Sequence, residues 1–148
     1  MSTKLNWMDE MMAKYPLVWA NGGYQGSPGP GWNDLLERAF SALQAHLSAN
    51  PEVAKSFFIS DMKEKFGTLR FYYHGGDDTV EKISNEAEWW SCRTCESCGK
   101  AGATCSSGYW ISTRCPACKL ATDNWVEELT NWVSIDTPRC TECDQVLR

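Results

Sequence analysis

The chain has 148 residues, 43% of them hydrophobic, which suits one domain or a compact domain with a small appended module. Fourteen Lys and Arg face 19 Asp and Glu, a formal net charge of −5, which opposes non-specific attraction to nucleic acid. No apolar run approaches the ~20 residues needed to cross a bilayer, and the opening MSTKLNWMDEMMAKY lacks the apolar stretch and small-residue cleavage site of a secretory signal. The expected compartment is therefore the cytoplasm. Thiols stay reduced there, so eight cysteines point to metal ligands ahead of disulfides. Splitting the chain at Cys92 yields no basic arm, with 8 basic and 12 acidic residues before it and 6 and 7 from it onward. Most of the eight tryptophans are expected to fill the core, with one or two exposed as candidates for partner contact.

The pattern predicts an α+β fold in two parts. Residues 1–91 form an α+β domain of helices and an aromatic β-hairpin. Residues 92–148 form a treble-clef-like zinc module with a C-terminal helix and a CxxC tail. In chain order, the first helix covers residues 4–14, with Leu5, Met8, Met11 and Met12 on one side and Pro16 limiting it. Residues 20–31, dense in Gly and Pro, read as a loop. A second helix spans 33–48, capped by Asn33, with Leu36, Ala39, Phe40, Leu43 and Leu47 on one face. Two strands, 57–63 and 68–74, meet at a Lys65-Phe66-Gly67 turn, with Leu69, Phe71 and Tyr73 sharing a face. Asp77 or Asp78 caps the next helix, which buries Val80, Ile83, Ala87 and Trp90 and leads to Cys92. A hairpin is expected around Ser106-Ser107-Gly108. A last helix is expected over 120–133, with Leu120, Trp125, Leu129 and Trp132 at helical spacing.

The strongest motif is Cys95-x2-Cys98, sixteen residues, then Cys115-x2-Cys118, which fits the C-x2-C…C-x2-C zinc template. Two thiolates three positions apart on a tight turn can grip one side of a tetrahedron, with Zn–S near ~2.3 Å. Gly99 lets the first turn close sharply, and the second pair is expected on the first turn of a helix, whose free N–H groups favour thiolate charge. Four sulfurs leave no open coordination position, so the site is structural. The competing assignments are buried free thiols or a redox pair, and the spacing favours zinc over both. Cys92 competes with Cys95 as a ligand. Cys92, Cys105, Cys140 and Cys143 are candidates for a second zinc, against the alternative of a tail bearing an exposed thiol pair.

Catalytic candidates are sparse. His46 lies on the second helix and is expected to be packed. His74 ends a strand beside Asp77 and Asp78, in a turn leading to a helix cap. A treble-clef nuclease needs a histidine on its hairpin, where this chain has Tyr109, Trp110 and Ile111. The expectation is that the protein is not an enzyme. Lys55, Lys63, Lys65 and Arg70, interleaved with Phe57, Phe58, Phe66, Phe71, Tyr72 and Tyr73, form the densest basic group. An aromatic hairpin with basic edges can stack single-stranded bases, although Asp61 and Glu64 dilute the charge and a mixed solvated sheet face is the plainer assignment.

The run DMKEKFGTLRFYYHGGDD, a following helix and CESCGKAGATCSSGYWISTRCPAC together resemble a family of small uncharacterised proteins encoded by bacteriophages and prophages. Lys14-Tyr15-Pro16 and Gly31-Trp32 fit the same pattern, and the resemblance spans roughly residues 13–120. It implies a metal-ligand role for Cys95, Cys98, Cys115 and Cys118. Cys105, Cys140 and Cys143 fall outside the pattern. The function expected on these grounds is a zinc-stabilised protein-interaction module, acting in the host cytoplasm on a host protein such as a defence or transcription component. The alternative is a nucleic-acid-binding zinc protein using Lys63, Lys65, Arg70, Tyr72 and Trp110.

Overall fold

A computed structural model describes residues 6–24, 26 and 28–126. Helix α1 (Trp7–Lys14) is capped by Asn6, whose side chain accepts from the Asp9 N–H at 2.8 Å. Its Met8 and Met11 are buried and Met12 is partly so; the predicted Leu5 lies outside the described residues. A 3₁₀ turn (Pro30–Trp32) feeds α2 (Asn33–Ala49). Asn33 is therefore not the expected cap. It continues a chain that already turns helically, and no side chain caps α2. Leu36, Ala39, Phe40, Leu43 and Leu47 are buried as the periodicity requires. A short helix absent from the sequence reading, α3 (Pro51–Ser56), follows Asn50, with proline at its first turn.

Strands β1 (Phe58–Lys65) and β2 (Thr68–His74) pair antiparallel around Phe66-Gly67, with a register irregularity between Ile59 and Asp61. Both turn residues have positive φ, 53° and 78°, the two-residue hairpin geometry that matches strand twist. Helix α4 (Asp78–Ser91) lies beside α2 and β2. Asp77 caps it by accepting from the Val80 N–H at 3.1 Å. The core is one cluster drawn from α1, α2, the hairpin and α4, with Trp32, Phe40, Phe57, Ile59, Met62 and Leu69 almost fully enclosed. Phe40 sits among Trp7, Tyr15 and Trp19 with ring centroids 5.3–6.3 Å away.

Beyond Cys92, β3 (Ala103–Ser107) lies at the centre of a three-stranded antiparallel sheet, between β4 (Trp110–Arg114) and β5 (Asn124–Trp125). The helix predicted over 120–133 does not form across its first residues. The Leu120 N–H donates to the Asp123 carboxylate at 2.8 Å, closing a turn, and Asn124–Trp125 pair with β3 instead. Residues 127–133, with Leu129 and Trp132, lie outside the described residues. Within the described residues no helix is long and apolar enough to cross a membrane.

The two parts meet along a tight seam. Gly31 N–H donates to the Glu96 carbonyl at 2.9 Å, and Trp32 Nε1–H to the Thr94 carbonyl at 2.8 Å. A Cβ on Gly31 would run into the Cys95 carbonyl oxygen, so only glycine allows this backbone approach. Gly67, at the β1–β2 tip, packs less tightly against the Ser112 backbone, and its carbonyl accepts from Thr113 Oγ1 at 2.6 Å.

Candidate metal centre

The cysteines gather because turns deliver them. Cys95 to Gly99 forms one turn, with the Gly99 N–H donating to the Cys95 carbonyl at 2.9 Å and Gly99 at φ 84°. After β4, Cys115 to Lys119 forms the second, with the Cys118 and Lys119 N–H groups donating to the Cys115 carbonyl at 3.1 and 2.9 Å. Sheet pairing of β3 with β4 brings these turns together, so the second pair stands on a turn leading into β5 and not on the expected helix. Glu96 links the turns: its N–H donates to the Thr113 carbonyl at 3.0 Å, and its side chain accepts the Thr113 N–H at 2.9 Å. Burial pushes the Glu96 carboxyl above its ordinary range.

The sulfurs of Cys95, Cys98, Cys115 and Cys118 all lie within 4.8 Å of one another, with Cys98 and Cys115 3.5 Å apart. A tetrahedral ion with bonds of ~2.3 Å implies sulfurs about 3.8 Å apart, so the quartet has the size of a metal cage. Cys95 and Cys115 are buried, Cys118 is half-buried and Cys98 is exposed. Burial opposes ionisation of Cys95. The N–H groups of Cys115, Cys98 and Ser97 outweigh it and lower that thiol to about 6. The Cys118 N–H lowers Cys115 in the same way. Cys118 is pushed up to about 12 by its sulfur contacts with Cys115, Cys98 and Cys95. Crowded sulfurs cannot all ionise on their own; a bound dication is the group that lets them do so. Four cysteines this close can coordinate one metal ion, and Cys95 rather than Cys92 completes the set.

Among the described residues, no other group of three or more His, Cys, Asp or Glu converges in this way. Cys92 stands outside the quartet, its sulfur 3.0 Å from the Trp89 carbonyl oxygen and 3.1 Å from the Arg93 guanidinium. Cys105 is buried on β3, 3.6 Å from Ser112 Oγ, and burial pushes its thiol up. Cys140 and Cys143 lie outside the described residues. The histidines are engaged elsewhere. His46 Nε2 meets the Asp77 carboxylate at 2.9 Å, and His74 stacks on Phe58 at 4.8 Å.

The basic residues predicted on the hairpin stand among acids and rings, with Lys63 Nζ 3.9 Å from the Asp61 carboxylate. Lys63 and Arg70 are cross-strand partners. Arg70 turns toward α4, with Nε 3.1 Å from Thr68 Oγ1 and 3.7 Å from the Glu88 carboxylate. Lys63 lies over the Tyr72 ring at 5.4 Å, and Lys65 over the Phe66 ring at 5.9 Å. Trp110 lies on the other hairpin, exposed beside Tyr109. Sequence reasoning missed the role of both seam glycines.

Comparison with protein-family models, with curated proteins and with solved structures found no match.

Proposed function

We propose that this protein is a zinc-stabilised interaction module that recognises a protein partner. The observation carrying this reading is the closed quartet of Cys95, Cys98, Cys115 and Cys118. Four thiolates favour zinc among common ions and leave no position for a substrate or water, so the metal serves the fold. The engagement of His46 with Asp77 and of His74 with Phe58 supports recognition over reaction. The resemblance to phage-encoded proteins supports a host protein, in the host cytoplasm, as the partner. Affinity capture with the zinc-loaded protein, repeated with Cys115→Ser, tests this. A host protein retained by the first and lost with the second is expected. Equal capture by a variant devoid of zinc would overturn it.

A further inference from the structure

We infer that Asp123 and Arg114 form a clasp that joins the two ligand turns from outside and sets how slowly the metal ion is exchanged. This rests on the metal reading of the cysteine quartet and names the residues that regulate that site.

The first observation is the cost of Asp123. Its side chain is fully enclosed, and Oδ1 has no hydrogen-bond partner among the described residues. A buried carboxylate is expensive unless its lone pairs are served and its charge is closely paired. The Arg114 guanidinium stands 3.7 Å away, Nε to Oδ2, which is an ion pair at long range. An asparagine would fill the same space without a buried charge, so fold stability alone does not explain this residue.

The second observation is position. Asp123 Oδ2 accepts the Leu120 N–H at 2.8 Å, and Leu120 lies two residues past Cys118. Arg114 directly precedes Cys115. One carboxylate therefore holds both ends of the turn that carries Cys115 and Cys118.

The third observation is reach. Arg114 Nη1 donates to Ser97 Oγ at 3.2 Å, and Nε donates to Ser112 Oγ at 3.1 Å. Ser97 lies between Cys95 and Cys98, so a path of polar contacts runs from Leu120 through Asp123 and Arg114 into the other ligand turn. The donors of a guanidinium are fixed in one plane, so a charge that holds one edge aims the other. Ser97 adjoins Cys98, the exposed member of the quartet. An ion bound by four sulfurs leaves when one thiolate swings away, and Cys98 is the sulfur open to solvent. Restraining its neighbour slows that step. Outer partners that fix ligand orientation typically change metal affinity by about 10–100-fold.

The test loads full-length wild type, Asp123→Asn, Arg114→Gln, the double variant and Asp77→Ala with zinc under reducing conditions, then follows zinc loss to excess EDTA. Asp123→Asn is expected to carry the wild-type zinc ratio and to lose its zinc about tenfold faster. Arg114→Gln should do likewise, and the double variant should be no faster than either, because both changes cut one path. Asp77→Ala, which uncaps α4 outside the metal centre, should melt lower yet exchange zinc at the wild-type rate. With cobalt(II) in place of zinc, the ligand-field bands of Asp123→Asn should be displaced and those of Asp77→Ala should not, a signature that lost stability alone does not produce. Should Asp123→Asn not fold, Arg114→Gln, whose side chain is partly exposed, carries the same comparison. Wild-type exchange in Asp123→Asn or Arg114→Gln, effects that multiply in the double variant, Asp77→Ala exchanging as fast as either, or cobalt bands unmoved throughout would overturn the proposal. Zinc bound by the wild type with exchange unchanged in the variants rejects the clasp alone; zinc absent from the wild type rejects the metal reading beneath it.

Discussion

Single residues decide how the metal turn is held. Gly31 donates to the Glu96 carbonyl and stands where any Cβ meets the Cys95 carbonyl. Gly31→Ala is expected to cost about 1–3 kcal/mol, read as a lower melting temperature, and to weaken zinc retention against a chelator. Phe66 works in the opposite direction. Its left-handed backbone is unfavourable by about 1 kcal/mol, so Phe66→Asn should recover part of that in chemical denaturation. These two positions also mark how far the sequence could be read. Cys95, Cys98, Cys115 and Cys118 were legible because ligand spacing is a local code. Gly31 looked like an ordinary loop glycine, because the backbone it must clear is more than sixty positions away. Asn33 looked like a cap because nothing local announced the 3₁₀ turn before it.

At the level of elements, α2, the hairpin and α4 followed from apolar period, and Asp77 followed from its place before α4. Asp77 joins two elements, capping α4 while its carboxylate meets His46 near the end of α2. The hydrogen bond from His46, then that from the Val80 N–H, hold its carboxyl below the usual range. A depressed carboxyl contributes stability that is present above its unfolded value, ~3.9, and lost as pH falls through the folded value. Asp77→Ala should therefore melt lower than the wild type near neutral pH. The gap should start to narrow below about pH 4 and close only below the folded value, in chelated samples of both, where thiolate titration is common to the pair. A gap that persists there would assign the loss to packing. Over residues 120–126 the predicted helix was misread because Leu120 and Trp125 mimic helical spacing. Asp123 and the open edge of β3 offer the backbone a turn and a ladder instead, and no single-chain period encodes that competition.

For the whole molecule, the account rests on a metal that closes one small sheet and fastens it to a separately packed core. Chelation should expose residues 92–126 to hydrogen exchange while protection persists around Trp32, Phe40 and Phe57, which bury against one another and not against the sulfurs. Uniform loss of protection would mean that the seam at Gly31 and Gly67 carries the core as well. The packing of the β1–β2 tip against β4 was the least legible feature, because it depends on where two distant hairpins meet. The most direct check of the central claim is zinc per chain, measured side by side on wild-type protein and Cys98→Ser purified under reducing conditions. The account predicts that the variant carries one equivalent fewer than the wild type. An equal ratio in both proteins, or no metal in the wild type, would contradict it.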